Sequence, residues 1–135
     1  MFCDFNAEFD EPTPEVEVAR RRITSLITDD DATYLVAGEG PDGFAELRFM
    51  PSVYSDNLGC YLGELYVAPG LRGRGLGRAL LEAAMEVARD RGADHIDLNT
   101  SEDDTAARGL YESLGFTNRE GKPDGPVMLY YEREL

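Results

Sequence analysis

One stretch of this chain leaves little choice of local structure. Tyr61, Leu62, Leu65, Tyr66 and Val67 are apolar or β-favouring, so the segment ending at Val67 reads as a strand. Pro69 and Gly70 stop it. An Arg- and Gly-rich turn follows, and a helix begins at about Gly75. Such a junction favours anions: the first turn of a helix leaves N–H groups unpaired, and the helix dipole puts partial positive charge there. Glycines at 73, 75 and 77 carry no Cβ to hold a diphosphate away from the backbone. Arg72, Arg74 and Arg78 add charge at the same point. The whole chain carries a net charge of −14, so these three arginines form a local basic island.

The length of 135 residues suits one domain, 1–135, around one core. No apolar run approaches the ~20 residues of a membrane helix. The start, Met1-Phe2-Cys3-Asp4, is acidic early and lacks the basic opening of a signal peptide, which predicts a soluble cytoplasmic protein. Cys3 and Cys60 are far apart and without metal spacing, so they read as reduced structural thiols. The lone His95 reads as a surface or capping residue, and nothing near it in the sequence completes a metal site. Strong net acidity argues against nucleic acid and anionic membranes and permits a cationic partner.

Taken in order, Phe2, Phe5 and Phe9 share one helical face. Thr13 as cap and Pro14 as first residue open a helix over Glu15–Ile27, with Val16, Ala19, Ile23, Leu26 and Ile27 as its buried stripe and Arg20, Arg21 and Arg22 on its solvated face. Three meandering strands follow: Thr33–Glu39, Gly43–Phe49 and roughly Cys60–Val67, the first two joined by a Gly40-Pro41-Asp42-Gly43 turn. The helix Gly75–Arg91 is ended by Gly92. Ile96–Asn99 is a short strand, and the strand–helix–strand order makes it parallel to the strand ending at Val67. Thr105–Leu114 is a helix closed by Gly115, with Phe116 folding back; strands Thr117–Glu120 and Pro126–Glu132 finish the chain. The pattern is α+β.

Two common phosphate motifs are excluded at the central turn. A Walker loop ends Gly-Lys-Ser/Thr, whereas this turn ends Gly77-Arg78-Ala79. The dinucleotide pattern G-x-G-x-x-G needs glycine at Arg78 if started at Gly73, or at Leu80 if started at Gly75. The pattern that is met is Arg72-x-x-Gly75-x-Gly77 behind a strand. It resembles the pyrophosphate-binding motif of the GCN5-related N-acetyltransferase (GNAT) superfamily, whose members bind acetyl-coenzyme A. One helix and one strand later, the run from Asp104 through Ala107, Leu110 and Tyr111 to Gly115-Phe116 is similar to that family's second signature, N-x-x-A-x-x-L-Y-x-x-x-G-F. The resemblance covers about Thr33 to Leu135.

It implies a GNAT-like acyl-CoA acyltransferase fold: a central mixed, mostly antiparallel sheet with a splayed parallel pair and flanking helices. The family fold usually begins with a strand ahead of its first helices. None is legible here, which would leave Thr33–Glu39 at an edge. The resemblance places the acetyl-CoA diphosphate on Arg72, Gly73, Arg74, Gly75, Leu76, Gly77 and Arg78, and the pantetheine arm along the backbone of Leu65, Tyr66 and Val67. A backbone N–H near Val67 would steady the thioester oxygen. Asp104, Ala107 and Tyr111 of the second signature complete the cofactor set, and Tyr111 matches the family tyrosine that protonates the departing thiolate. Asp104 replaces the family's Asn and cannot donate as Asn does; capping the helix is the other role open to it.

The implied reaction is N-acetylation of a primary amine by direct attack in a ternary complex, with no metal. Glu64 is the candidate for orienting or deprotonating the amine, since an acid inside an apolar strand needs a reason. By alternation it shares a face with Tyr66. Its other readings are a solvent-facing position or a pair with Arg48. A peptide or small-molecule acceptor, cationic in keeping with the acidic chain, remains unnamed, and homodimerisation is left open. Two competing classes stand beside the enzyme: a non-catalytic acyl-CoA-binding sensor on the same scaffold, and a nucleotide-binding αβ domain.

Overall fold

The computed structural model describes residues 1–8, 10, 12–40 and 42–135. Expectations for Phe9 and Pro41 lie outside those residues. The described chain forms two compact units, Met1–Leu98 and Asn99–Leu135.

The first unit contains α1 (Phe2–Glu8), α2 (Val16–Thr28), β1 (Thr33–Ala37), β2 (Gly43–Pro51), β3 (Leu58–Val67), a 3-10 turn at Pro69–Leu71, α3 (Leu76–Asp90) and β4 (Ala93–Leu98). The sheet order is β1-β2-β3-β4, antiparallel across β1, β2 and β3 and parallel between β3 and β4. β1 stands at an edge. β1, β2 and β3 are rich in aromatic and branched residues, and α3 is long enough to return the chain to the start of a parallel neighbour.

α3 supplies one side of the core. Its Leu80, Leu81, Ala84 and Ala88 are buried at helical spacing, and the helix touches all four strands. Leu47 on β2, Cys60 on β3 and Leu81 are fully enclosed. On another side, Phe5 of α1 meets Phe44 and Tyr66 edge-on, at centroid distances of 6.4 and 5.6 Å. Residues Gly43 to Leu47 of β2 are buried without a break, so this strand is covered on both faces.

A β-bulge sits in the β2–β3 ladder. Glu46 pairs with Glu64, but the next residue, Leu47, pairs with Leu62, leaving Gly63 as the extra residue. Adjacent residues of β2 face opposite ways, so Leu62 lies with Leu47 while Glu64 lies with Glu46. Glu64 and Tyr66 do share a face, but Leu62, also even-numbered, does not join them.

Several expectations are corrected. α2 starts at Val16 with Glu15 as its cap, because Glu15 stays extended (ψ 140°) after Pro14. Val16 and Ile27 are exposed. They lie in the first and last turns, and α2 meets the sheet chiefly over β1, so of the expected stripe Ala19, Ile23 and Leu26 turn inward.

The second unit holds α4 (Thr105–Ser113). Its C-terminus is a full Schellman closure: Phe116 N–H donates to Tyr111 C=O (3.1 Å) and Gly115 N–H to Glu112 C=O (3.1 Å), with Gly115 at φ 89°. The two final strands do not form among the described residues. One bridge, Arg119 with Val127, is flanked by hydrogen bonds from Glu120 N–H to Pro126 C=O and from Met128 N–H to Asn118 C=O. Pro126 cannot donate, and a lone ribbon of two strands is marginal in water, so β-favouring residues at 127–131 are not enough.

Leu81 tests the core. Leu81→Ala is expected to lower unfolding free energy by about 2–5 kcal/mol, read from urea denaturation beside the wild type.

Candidate active site

The Arg- and Gly-rich turn is built as an open cradle. Gly73 and Gly75 adopt φ 75° and 86°, values that favour glycine. A Cβ added at either would meet no atom within 4 Å, so the space beside the backbone is clear. Gly75 caps α3, and the first bond of the helix ladder runs from Ala79 N–H to Gly75 C=O at 3.0 Å. The N–H groups of Leu76, Gly77 and Arg78 therefore precede the ladder. These features fit a diphosphate. Arg74 is exposed beside them, and Arg78 lies 3.6 Å from Glu82 on the next turn.

Arg72 is used differently from the other two arginines. Its Nε donates to Val67 C=O (2.9 Å), and its two terminal nitrogens grip both oxygens of Glu8 at 2.6 and 2.7 Å. The guanidinium also lies 5.8 Å from the centre of the Tyr66 ring. It ties the end of β3 to α1, a partnership across 64 positions that no local pattern reveals.

The end of β3 has a distinctive edge. Pairing with β4 stops at Leu62 opposite Leu98, while β3 continues through Gly63, Glu64, Leu65 and Tyr66 to Val67. Among the described residues this stretch has no strand neighbour on the β4 side, and such an edge receives an extended chain through backbone hydrogen bonds. Tyr66 itself is buried against Phe5 and Phe44, so only its backbone serves such an edge.

Glu64 lines a cavity of about 240 Å³ together with Phe2, Pro14, Ala19, Arg22, Ile23, Leu26, Tyr34, Glu46 and Arg48. Arg48 pairs at 2.6 Å with Glu46, the cross-strand neighbour of Glu64. The Tyr34 hydroxyl also donates to Glu46, and burial, then the Glu46 charge, pushes the Tyr34 phenol well above its ordinary range. Glu46 is a buried acid missing from the sequence-derived candidates. The signal that marks Glu64 marks it too: an acid flanked by Ala45 and Leu47 inside a strand.

In the second unit, Asp104 caps α4, its Oδ1 accepting from Ala107 N–H at 2.9 Å. Tyr111 is half-buried beside Phe116, with ring centroids 5.9 Å apart. Burial first, and the Asp104 charge second, push its phenol to about 12.

The remaining polar residues hold no second centre. His95 is exposed, with Nδ1 2.6 Å from Asp94 and Nε2 3.6 Å from Asp97. Cys3 and Cys60 are free thiols, and burial lifts the Cys60 thiol to about 11. Among the described residues no group of three His, Cys, Asp or Glu is arranged to hold a metal ion, and no helix is long and apolar enough to cross a membrane.

A Gly-rich helix start beside a strand end that pairs with β2 but runs past β4, in a mixed sheet, defines an acyl-CoA-type acyltransferase scaffold. The chain belongs to the acetyltransferase (GNAT) family, whose sequence profile matches residues 1–116. Members of that family use acetyl-CoA. The chain is 50% identical over 58 residues to mycothiol acetyltransferase of Beutenbergia cavernae, covering 41% of this chain and 20% of that protein. It is 35% identical over 89 residues to streptothricin acetyltransferase of Streptomyces lavendulae, covering 64% and 45%. The matches thus span less than half the length of either curated relative. A crystal structure assigned to an acetyltransferase of Arthrobacter sp. FB24 superposes with a TM-score of 0.89 at 45% identity, covering 98% of this chain and 84% of that one.

The Tyr111 shift has a pH consequence. Its folded value is raised from 10.0 to about 12, so its contribution to stability is complete below pH 10 and is lost as pH rises towards 12. Thermal melts across that range should show a shallower decline for Tyr111→Phe than for the wild type.

Proposed function

We propose that this chain moves an acetyl group from acetyl-CoA to a primary amine by direct attack with both substrates bound. The observation that supports it best is the opening of α3, an uncrowded glycine turn next to a strand end that pairs with β2 but runs past its pairing with β4. Acetyl-CoA, when bound, supplies the activated acetyl thioester.

The chain's residues would act as follows. N–H groups of Leu76, Gly77 and Arg78 receive the diphosphate, with Gly73 and Gly75 allowing close approach and Arg74 and Arg78 adding charge. Arg72 contributes by fixing the turn through Glu8 and Val67. The backbone of Leu65, Tyr66 and Val67 aligns the extended arm, and an N–H near Val67 donates to the thioester oxygen. Holding the reactants in line is worth on the order of several kcal/mol.

An alkylamine with an ordinary pKa of ~10.4 arrives protonated at neutral pH. Glu64, on the cavity wall, orients it and takes its proton through water. Tyr111, protonated at neutral pH, supplies a proton to the departing thiolate; this role rests on the signature from Asp104 to Phe116. Asp104 orders the first turn of α4 through Ala107 in place of a donating Asn. The two free thiols suit a cytoplasmic enzyme.

The test is thermal stability with acetyl-CoA, coenzyme A, ATP and NAD added separately, at ~100 times the dissociation constant, where a bound ligand adds ~2.7 kcal/mol. Selective stabilisation by acetyl-CoA and coenzyme A is expected, lost in Gly75→Asp and weakened in Arg74→Glu. Stabilisation by ATP or NAD alone would sink the assignment, and binding without turnover on any amine would leave a sensor module. Tyr111→Phe should lower kcat by ~10²–10⁴-fold while keeping the acetyl-CoA stabilisation.

A further inference from the structure

We propose that Glu8 is a positioning residue for acetyl-CoA, and that through it α1 couples the donor turn to the cavity beside β3. The proposal rests on the acetyl-transfer reading and adds to it a residue and a linkage between its two sites.

The two ends of α1 meet different parts of the first unit. At the C-terminal end, Glu8 takes both terminal nitrogens of Arg72, at 2.6 and 2.7 Å. Arg72 Nε meanwhile donates to Val67 C=O at 2.9 Å. One carboxylate on α1 thus fixes the first arginine of the glycine turn and, through it, the last residue of β3. A fork-on-fork pair sets an angle as well as a distance. At the N-terminal end, Phe2 lines the cavity that is also lined by Tyr34 and Glu64. Between the ends, Phe5 packs edge-on to Phe44 and Tyr66, and buried Asn6 donates from its side-chain nitrogen to Pro12 C=O at 3.0 Å.

Such a helix has two states. Seven residues do not hold a helix in water, so α1 is ordered while it is docked. Docking brings Glu8 to Arg72 and Phe2 to the cavity in one step. A donor that binds best to a turn held by Glu8 favours the docked state, and by linkage the docked state binds that donor more tightly. Acetyl-CoA on the turn therefore also completes the wall against which the acceptor is placed.

Direct use of the Arg72 fork on the diphosphate makes the opposite demand. Glu8 would then be a competitor, and removing its charge would release the guanidinium to the phosphates. The packing speaks against that. The Glu8 side chain is 29% exposed, and turning Arg72 away would leave this carboxylate largely enclosed without its cation. The two roles give effects of opposite sign on acetyl-CoA affinity.

The experiment uses that sign. Acetyl-CoA affinity of the full chain is measured by calorimetry, well below the melting temperature. The chain has no tryptophan, so Phe2→Trp places a single fluorophore at the cavity end of α1. Glu8→Gln should raise the acetyl-CoA Kd about three- to tenfold. Arg72→Lys, which keeps the charge and loses the fork, should do the same, and the two together should cost little more than either alone. In the Phe2→Trp chain, acetyl-CoA should move the emission to shorter wavelength and cut quenching by acrylamide at least about twofold. Adding Glu8→Gln should abolish that response even at saturating acetyl-CoA. A purely structural Glu8 would lower the melting temperature and move neither readout. If Glu8→Gln binds acetyl-CoA as tightly as the wild type or more tightly, the proposal is wrong and the acetyl-transfer reading stands. It is equally wrong if the emission response survives Glu8→Gln, since Phe2 then senses the ligand without α1. Should Glu8→Gln fail to fold, Arg72→Lys decides by the same two readouts. If acetyl-CoA does not bind the wild type, the underlying reading fails and this one falls with it.

Discussion

The parallel ladder between β3 and β4 ends at Leu62 and Leu98, yet β3 runs on to Val67. Backbone N–H and C=O groups are obligatory hydrogen-bonding groups, so a strand that outlasts its neighbour offers a row of them to whatever lies alongside. Its continuation then leads through Pro69–Leu71 into a glycine turn and the start of α3. An edge that accepts an extended chain and a helix start that accepts an anion thus follow each other without interruption. That adjacency depends on β4 being short.

Such an edge needs its geometry fixed from elsewhere, and Arg72 is the fixing point. One guanidinium bonds the last carbonyl of β3, both oxygens of Glu8 on α1, and the face of Tyr66. Phe5, one turn before Glu8, packs on Tyr66 and Phe44. α1 is only seven residues long, too short to hold itself in water. The ion pair and the aromatic cluster hold it together, and in return α1 immobilises the turn that follows Val67. An arginine in a phosphate-binding signature is readily taken as a ligand contact; here it also holds the end of β3 to α1.

What could be read from the sequence was what is local. The strand, the Pro-Gly stop, the glycine turn and the amphipathic α3 lie within one run of residues, and Gly92 and Gly115 mark helix ends by a conformation that favours glycine. The second signature added an independent match in the right order. What escaped depends on partners far along the chain. Glu46 carries the same local signal as Glu64, an acid inside an apolar strand, but its importance comes from Tyr34, Arg48 and Glu64 on three strands. Val16 and Ile27 fit the helical stripe but lie beyond the sheet. At 127–131, propensity argued for a strand where only one bridge forms.

The extra residue of the bulge, Gly63, comes directly after Leu62, the last residue of β3 that pairs with β4. Bulges bend the strand that carries them and tighten its twist, so the bend falls where the parallel neighbour leaves off. A chain lacking residue 63 would keep Leu62 opposite Leu47 and Glu64 opposite Glu46, because those partners are already consecutive on β2. Every side chain of β3 would stay on its present face. Only the bend would go, and a straight β3 would leave its far end lying along the line of β4, open to further pairing. A Cβ at 63 would come no nearer than 3.6 Å to the Glu46 carboxyl, an ordinary contact, so the position counts by being occupied and not by being bare. One unit of chain length therefore sets a bend in β3 at the point where its pairing with β4 ends. A deletion that spared every contact of the hydrocarbon layer would still remove that bend.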